Sequence, residues 1–192
     1  ATEPGSTMKL ASVLAVIDDG LEEPDDTVTV GNGEYNFYGQ KMKDAHAPKS
    51  SKLSLQQAFE YSSNVGISKI IWSRYVKNPQ KFIDKLKSFG LGKSLNLQIE
   101  GEGIPKIKNT DDKSWSSVSL PWISIGYETL LTPLQILTFY NAVANNGRMV
   151  KPHFVKEIRN HGQLVQSFPV QIIKDSIASP QSLQKVRKMM EG

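Results

Sequence analysis

No cysteine occurs among the 192 residues. Disulfide scaffolds, thiolate metal sites and a cysteine nucleophile are therefore excluded together. Its absence is compatible with an oxidising compartment without demonstrating one. Histidine is scarce as well. His46, His153 and His161 stand far apart and lack metal-ligand spacing, so no metal site and no cofactor are expected. No apolar run approaches the roughly 20 residues that cross a bilayer. That excludes a membrane-spanning chain, though not a segment cut from an anchored protein. Dense charge is missing too: lysine and arginine total 23 against 19 acids, and the basic residues are scattered without interleaved aromatics. Nucleic acid is not an expected partner. What remains, 39% hydrophobic and 22% charged, suits a globular chain with one core.

Hydrophobic periodicity and turn residues divide the chain into short elements. A first helix is expected from near Ser6 to Gly20, through Met8, Leu10, Val13, Leu14 and Ile17. An acidic loop, Leu21 to Asp26, follows. Thr27–Val30 and Tyr35–Met42 read as two short strands about Gly31-Asn32-Gly33, and Lys43–Lys52 as polar connection. Leu53–Tyr61 suits a helix capped by Ser54; Ser62-Ser63-Asn64 interrupts it, and helical spacing resumes over Val65–Val76. Asn78-Pro79 opens another helix that stops at Gly90. Leu91–Trp122 reads as a long ordered loop. Thr132-Pro133-Leu134-Gln135 has capping-box spacing, and Leu134, Leu137, Tyr140 and Ala144 then share a face. Met149–Ile158 and Leu164–Phe168 read as a second hairpin. Ser179-Pro180 opens a last helix whose pattern reaches Gly192, so the sequence reads as an excised piece.

Two places could carry chemistry. Ser6-Thr7-Met8-Lys9 puts an amine one helical turn from a hydroxyl, on one face and near a helix N-terminus that favours developing negative charge. A buried lysine can lose its proton near neutrality and serve as a base for serine. Spacing alone does not single this pair out, because Ser182-Leu183-Gln184-Lys185 repeats it. Ser62-Ser63-Asn64 is matched in the same way by Ser94-Leu95-Asn96.

The wider context resembles one family. Glu3-Pro4-Gly5-Ser6-Thr7-Met8-Lys9 is similar to the active-site segment of the class B penicillin-binding proteins. Tyr61-Ser62-Ser63-Asn64-Val65-Gly66 is similar to their Ser-x-Asn element, and Ser62 lies 56 residues beyond Ser6. Lys43-Asp44-Ala45-His46, Leu53-Ser54-Leu55-Gln56-Gln57-Ala58 and Phe89-Gly90-Leu91-Gly92 continue the likeness in order. So do Ser124-Ile125-Gly126-Tyr127, Leu131-Thr132-Pro133-Leu134-Gln135, Asn145-Asn146-Gly147 and Val150-Lys151-Pro152.

The resemblance implies an α+β fold of the β-lactamase/transpeptidase type. It implies that residues 1–192 are a partial domain, mostly helical with two short hairpins and lacking most of the central sheet. It also implies a peptidoglycan D,D-transpeptidase. Ser6 would attack a D-Ala-D-Ala stem peptide, Lys9 would take the proton, and Ser62 would relay a proton to the leaving amine. Asn64 would bind the substrate amide and support Lys9, the Ser6 N–H would give half of an oxyanion hole, and Tyr127 would line the substrate site. β-Lactams would acylate Ser6. Septal or elongation proteins would be partners, and the parent would be anchored by a single pass in the bacterial inner membrane with this domain in the periplasm.

Two departures stand out. No Lys-Thr-Gly occurs in the sequence, so the strand that carries it in the family is missing. Glu128 occupies a place where the family often has glycine, and reads as a tolerated loop substitution. His46 reads as a structural hydrogen-bonding residue, and Trp72, Trp115 and Trp122 as packing. A β-lactam sensor or β-lactamase-like protein of the same fold remains an alternative, as does a non-catalytic interaction module of the division complex.

Overall fold

Every residue from Lys9 to Ile17 is buried in the computed structural model, which describes residues 1–191. Leu10, Ala11, Val13, Leu14, Ala15 and Val16 leave this segment no exposed face, the mark of a helix enclosed on all sides. It forms α1 (Lys9–Asp18), entered through a 3₁₀ turn at Gly5–Met8. The other helices are α2 (Leu55–Glu60), α3 (Asn64–Tyr75), α4 (Pro79–Ser88), α5 (Ser119–Ile123), α6 (Pro133–Ala144) and α7 (Pro180–Met190). Of these, α2, α3, α4 and α7 pack directly on α1. None is long and apolar enough to cross a membrane.

Local chemistry starts these helices where the sequence predicts. Ser54 accepts the Gln57 N–H while the Gln57 side chain accepts the Ser54 N–H, and Thr132 and Gln135 repeat that reciprocal cap on α6. Ser63 caps α3 and Ser179 caps α7. Helix α7 ends at Met190, and the predicted extension to Gly192 falls outside the described residues. On α6 the face shared by Leu134, Leu137, Tyr140 and Ala144 is the outer one, with Leu137 59% exposed. The core takes Phe139, Ala142 and Val143 instead. Gln135 can join them because its Nε2 donates to the Lys93 carbonyl and its Oε1 accepts from Thr132.

The strands are β1 (Thr27–Thr29), β2 (Glu34–Phe37), β3 (Gln40–Lys43), β4 (Lys52–Ser54), β5 (Lys106–Ile107), β6 (Thr129–Leu130), β7 (Met149–Val150), β8 (Glu157–Asn160), β9 (Gln163–Ser167) and β10 (Ile172–Lys174). They pair as five separate antiparallel two-stranded sheets, β1–β4, β2–β3, β5–β6, β7–β10 and β8–β9. The fold is α+β, with helices forming most of the core.

The expected hairpins exist but are displaced. The first is β2–β3, turning on Tyr38-Gly39, whose φ values of 50° and 87° give the left-handed pair that suits hairpin twist. Strand β1 pairs with distant β4 instead of with its neighbour, because the Gly31–Gly33 turn carries the chain out of one sheet and into another. The second hairpin is β8–β9, turning on His161-Gly162 with the same left-handed pair. Pro152 keeps Met149–Val150 out of it, and those residues pair with β10. The long loop after Gly90 carries β5 and, at its end, α5.

An ion cluster closes the far end of α1. Asp18 and Asp19 sit at its C-terminal end, where the helix dipole is unfavourable to anions. Lys85 reaches both at 2.6 and 3.0 Å, Lys81 reaches Asp19 at 2.9 Å, and the Ser179 N–H donates to Asp18. Partial burial pushes both carboxyls up, but these hydrogen bonds and charges outweigh it and hold them below their ordinary 3.8. Their contribution to stability is present in full above pH 3.8 and is lost as pH falls through the lower folded values. Urea midpoints measured down to pH 3 are therefore expected to fall less steeply for Asp18→Asn than for the native chain. An equal slope would show that the cluster carries no proton linkage.

Candidate active site

Ser6 lies in the 3₁₀ turn and is exposed, while Lys9, one turn on, is 1% exposed. In the first turn of a helix the backbone N–H groups have no intrahelical acceptor, so the Ser6 N–H is available to a developing oxyanion. The turn is tied down at its edges. The Thr7 hydroxyl donates to the Pro4 carbonyl at 2.8 Å, and the Tyr140 hydroxyl on α6 donates to the Thr7 carbonyl at 3.0 Å.

The Lys9 side chain runs to the turn between α2 and α3. Its Nζ donates to the Ser62 carbonyl at 2.5 Å and to Ser62 Oγ at 2.9 Å. Burial pulls the ammonium down to about 8, against the opposing field of the Asp44 carboxylate. About one lysine in ten is then neutral at pH 7. A neutral amine spends two N–H groups on Ser62 and keeps a lone pair, which is what a base for a nearby hydroxyl needs.

Ser62 has a φ of 53°, left-handed and costly for a residue with a Cβ. The turn is held by its neighbours. Ser63 Oγ donates to the Asp44 carboxylate at 2.9 Å and accepts the Gly66 N–H at 2.8 Å. The Val65 N–H donates to Asp44 Oδ1 at 2.9 Å, and Asn64 Nδ2 donates to the Lys43 carbonyl at 2.8 Å. The end of β3 thus fastens the start of α3.

A third segment reaches the same place. The Gly5 N–H donates to the Gly126 carbonyl at 3.2 Å, and Thr2 bridges to Leu131. Tyr127 follows with its ring 46% exposed. Glu128 stands at φ 56°, pairs with Lys108, and accepts nothing from Ser6; its own N–H donates to Glu3 Oε1 at 2.9 Å. Lys108 also donates to the Ser114 carbonyl at 2.9 Å, so Glu128 fastens a loop.

Of the residues singled out in the sequence, the structure joins Lys9 to Ser62 directly. Ser6 and Lys9 share a helical turn, in which the Lys9 backbone N–H donates to the Ser6 carbonyl, but the Lys9 amine donates to Ser62 and not to the Ser6 hydroxyl. Asn64 is turned to Lys43, and its implied support of Lys9 is not a direct hydrogen bond. The look-alike Ser182–Lys185 separates cleanly. Lys185 pairs with Glu23 on the surface, and Ser182 bonds Ser179 within a cap. Trp72 donates to the Tyr38 hydroxyl, and the Trp122 ring lies 6.2 Å from that of Phe37, both as packing. Asp44 was visible in the sequence only as part of the Lys43–His46 likeness. Nothing in spacing announced that its carboxylate would meet Ser63 and Val65.

A serine in a helical turn, a buried amine one turn on and a Ser-x-Asn turn holding that amine are the parts that serine acyl transfer uses. The match is closer than reaction class. Residues 1–192 fit the family model of the penicillin binding protein transpeptidase domain, and the chain belongs to that family. It is 31% identical over 191 residues to penicillin-binding protein PbpB of Mycobacterium tuberculosis, covering 99% of this chain and 27% of that protein. It is 27% identical to the peptidoglycan D,D-transpeptidase FtsI of Escherichia coli K12, covering 94% of this chain and 29% of that one. Among solved structures, penicillin-binding protein 3 of M. tuberculosis complexed with ampicillin superposes with a TM-score of 0.79 at 30% identity. That match covers 97% of this chain and 40% of the other. The chain therefore spans less than a third of the length of these two curated relatives.

Proposed function

We propose that this chain supplies the nucleophile, base and Ser-x-Asn elements of a peptidoglycan D,D-transpeptidase that β-lactams inactivate. The observation that carries it is the buried Lys9 amine on both oxygens of Ser62, 53 residues away, with exposed Ser6 one helical turn before Lys9. Ser6 Oγ attacks the carbonyl of the penultimate D-alanine and its proton passes to neutral Lys9. The tetrahedral intermediate collapses as the carbon–nitrogen bond breaks, and Lys9 with Ser62 returns the proton to the departing D-alanine amine. The amine of a second stem peptide then displaces Ser6 and forms the crosslink. A β-lactam carbonyl enters the same path, but its amine stays tethered and the acyl-enzyme persists.

Asn64 and Tyr127 line the approach to Ser6 and hold the peptide. The relative named as a peptidoglycan D,D-transpeptidase and the ampicillin-bound relative support this substrate class. Such chemistry acts on the wall outside the cytoplasmic membrane, with septal or elongation proteins as partners. The sequence carries no Lys-Thr-Gly, so the second oxyanion donor and the carboxylate-binding wall come from elsewhere.

The test is intact-mass spectrometry after exposure to benzylpenicillin, followed by proteolysis. An adduct confined to the peptide Ala1–Lys9 is expected. Its formation rate should rise about tenfold per pH unit below 8 and level off above it, as Lys9 loses its proton. If neither this chain nor a chain of the relatives' length is labelled, the function is wrong.

A further inference from the structure

The described Lys9 contacts leave one question of chemistry open: a buried amine that must take a proton and give it back needs something to stabilise its charged form. Ser62 offers two neutral oxygens. Most charged groups on the elements packed around α1 have their contacts elsewhere. Glu60 on α2 accepts from Gln56, Lys69 and Arg74 on α3 go to the Thr29 carbonyl and to Glu22, Lys81 and Lys85 on α4 go to the aspartates at the far end of α1, and Lys185 on α7 goes to Glu23. On β3, Lys43 pairs with Glu34. Asp44 has its contacts at the Ser62 turn itself. Among the described residues it has no cationic partner within salt-bridge range; its oxygens take the Ser63 hydroxyl at 2.9 and 3.1 Å and the Val65 N–H at 2.9 Å. Its own N–H is fixed on the Gly33 carbonyl at 2.8 Å.

We infer that Asp44 is a positioning residue for proton transfer: it clamps Ser63 and Val65 so that Ser62 turns both oxygens to Lys9, and its negative charge faces the amine that must become an ammonium. The two roles meet in one side chain because the clamp begins at Ser63, the residue next to the one that Lys9 touches. The left-handed Ser62 backbone is strained and would relax if the Ser63 and Val65 anchors that follow it were released. The charge acts at the same place, since the Asp44 field opposes the effect of burial on Lys9. Asp44 touches no reacting atom in the proposed reaction and acts only through Ser62 and Lys9.

The inference rests on Lys9 as the base, and two variants separate its parts. Asp44→Asn keeps an oxygen for the Val65 N–H and the side-chain shape while removing the charge. Ser63→Ala removes the hydroxyl anchor and keeps the charge. Carbon-13 NMR of the lysine Cε carbons, with Lys9 assigned through Lys9→Arg, follows the titration without requiring acylation. In Asp44→Asn the Lys9 midpoint is expected to fall below 8, and in Ser63→Ala to stay. Benzylpenicillin acylation, measured on a chain of the relatives' length, is expected to lose about tenfold or more at its plateau in both. Only in Asp44→Asn should the pH at which it levels move down.

An unmoved Lys9 midpoint in Asp44→Asn overturns the charge role, and an unchanged plateau in both variants overturns the clamp. A moved midpoint in a chain that penicillin never labels upholds the Asp44–Lys9 coupling while sinking the transpeptidase function.

Discussion

Ser6→Ala is expected to abolish the penicillin adduct outright, and Lys9→Met to slow its formation by about 10³-fold, while both chains stay folded. Alanine removes the atom that forms the ester, so no slower route to an acyl-enzyme on this residue remains. Ser6 is exposed and its hydroxyl anchors nothing in the fold, so melting should be unchanged. Methionine matches the lysine stem as far as Cε, so most of the space between α1 and Ser62 stays filled without a buried charge. The Ser62 carbonyl and hydroxyl lose their donor, a cost of about 1–3 kcal/mol, offset in part because a buried amine need no longer be desolvated.

Catalysis has no such compensation. A positioned general base contributes roughly 10²–10⁴-fold, and the rise in rate towards pH 8 should disappear with it. Stopped-flow acylation across pH 6–9, with thermal melts alongside, reads both effects. A Lys9→Met chain that acylates at the native rate, or that keeps the native pH profile, would remove Lys9 from the mechanism.

The sequence was most informative where a single side chain decides local structure. Ser54, Thr132 and Ser179 begin helices because their hydroxyls satisfy N–H groups one turn on, and that requires nothing from the rest of the chain. The apolar spacing from Leu10 to Ile17 announced a helix, and the fold showed it enclosed on all sides. Pairings between distant segments were not legible. Strand β1 carries no mark that it will find Lys52–Ser54 rather than the nearer β2, since three residues of pleat satisfy either partner. On α6 two apolar faces compete, and the choice fell to Phe139 and Val143 only because Gln135 found partners inside.

The site divides along the same line. Ser6 and Lys9 were readable as a pair on one helix turn, and their look-alike at Ser182–Lys185 could be set aside only by context. In the fold the distinction is plain: Lys9 is 1% exposed with its amine on Ser62, whereas Lys185 sits in a surface ion pair. Asp44 required the tertiary structure, because a carboxylate recognises Ser63 and Val65 through approach in space and not through any spacing rule. Glu128 was read as a tolerated loop substitution, and its pairing with Lys108 gives the left-handed backbone there something to hold it.

Gly126→Ala is the substitution expected to damage the fold and the nucleophile together. A Cβ at this position would stand 2.1 Å from the Gly5 carbonyl oxygen and 2.6 Å from its nitrogen. Both are backbone atoms and cannot swing aside as a flexible side chain would. The φ of 88° adds a strain of its own. The segment it would displace begins the 3₁₀ turn that carries Ser6, and the hydrogen bond from Gly5 to the Gly126 carbonyl would go with it. A loss of about 3 kcal/mol or more is expected, with acylation of the surviving folded chain down by about 10²-fold through misplacement of the hydroxyl. Gly162→Ala separates the two causes. Its φ is 84° but no atom lies within 4 Å of the added carbon, so it should cost only about 1 kcal/mol and leave acylation alone. Urea unfolding of both variants at pH 7 measures the difference directly. Equal losses would mean that backbone strain, and not contact with Gly5, is what glycine relieves at position 126. The junction would then no longer explain how the turn bearing Ser6 is held in place.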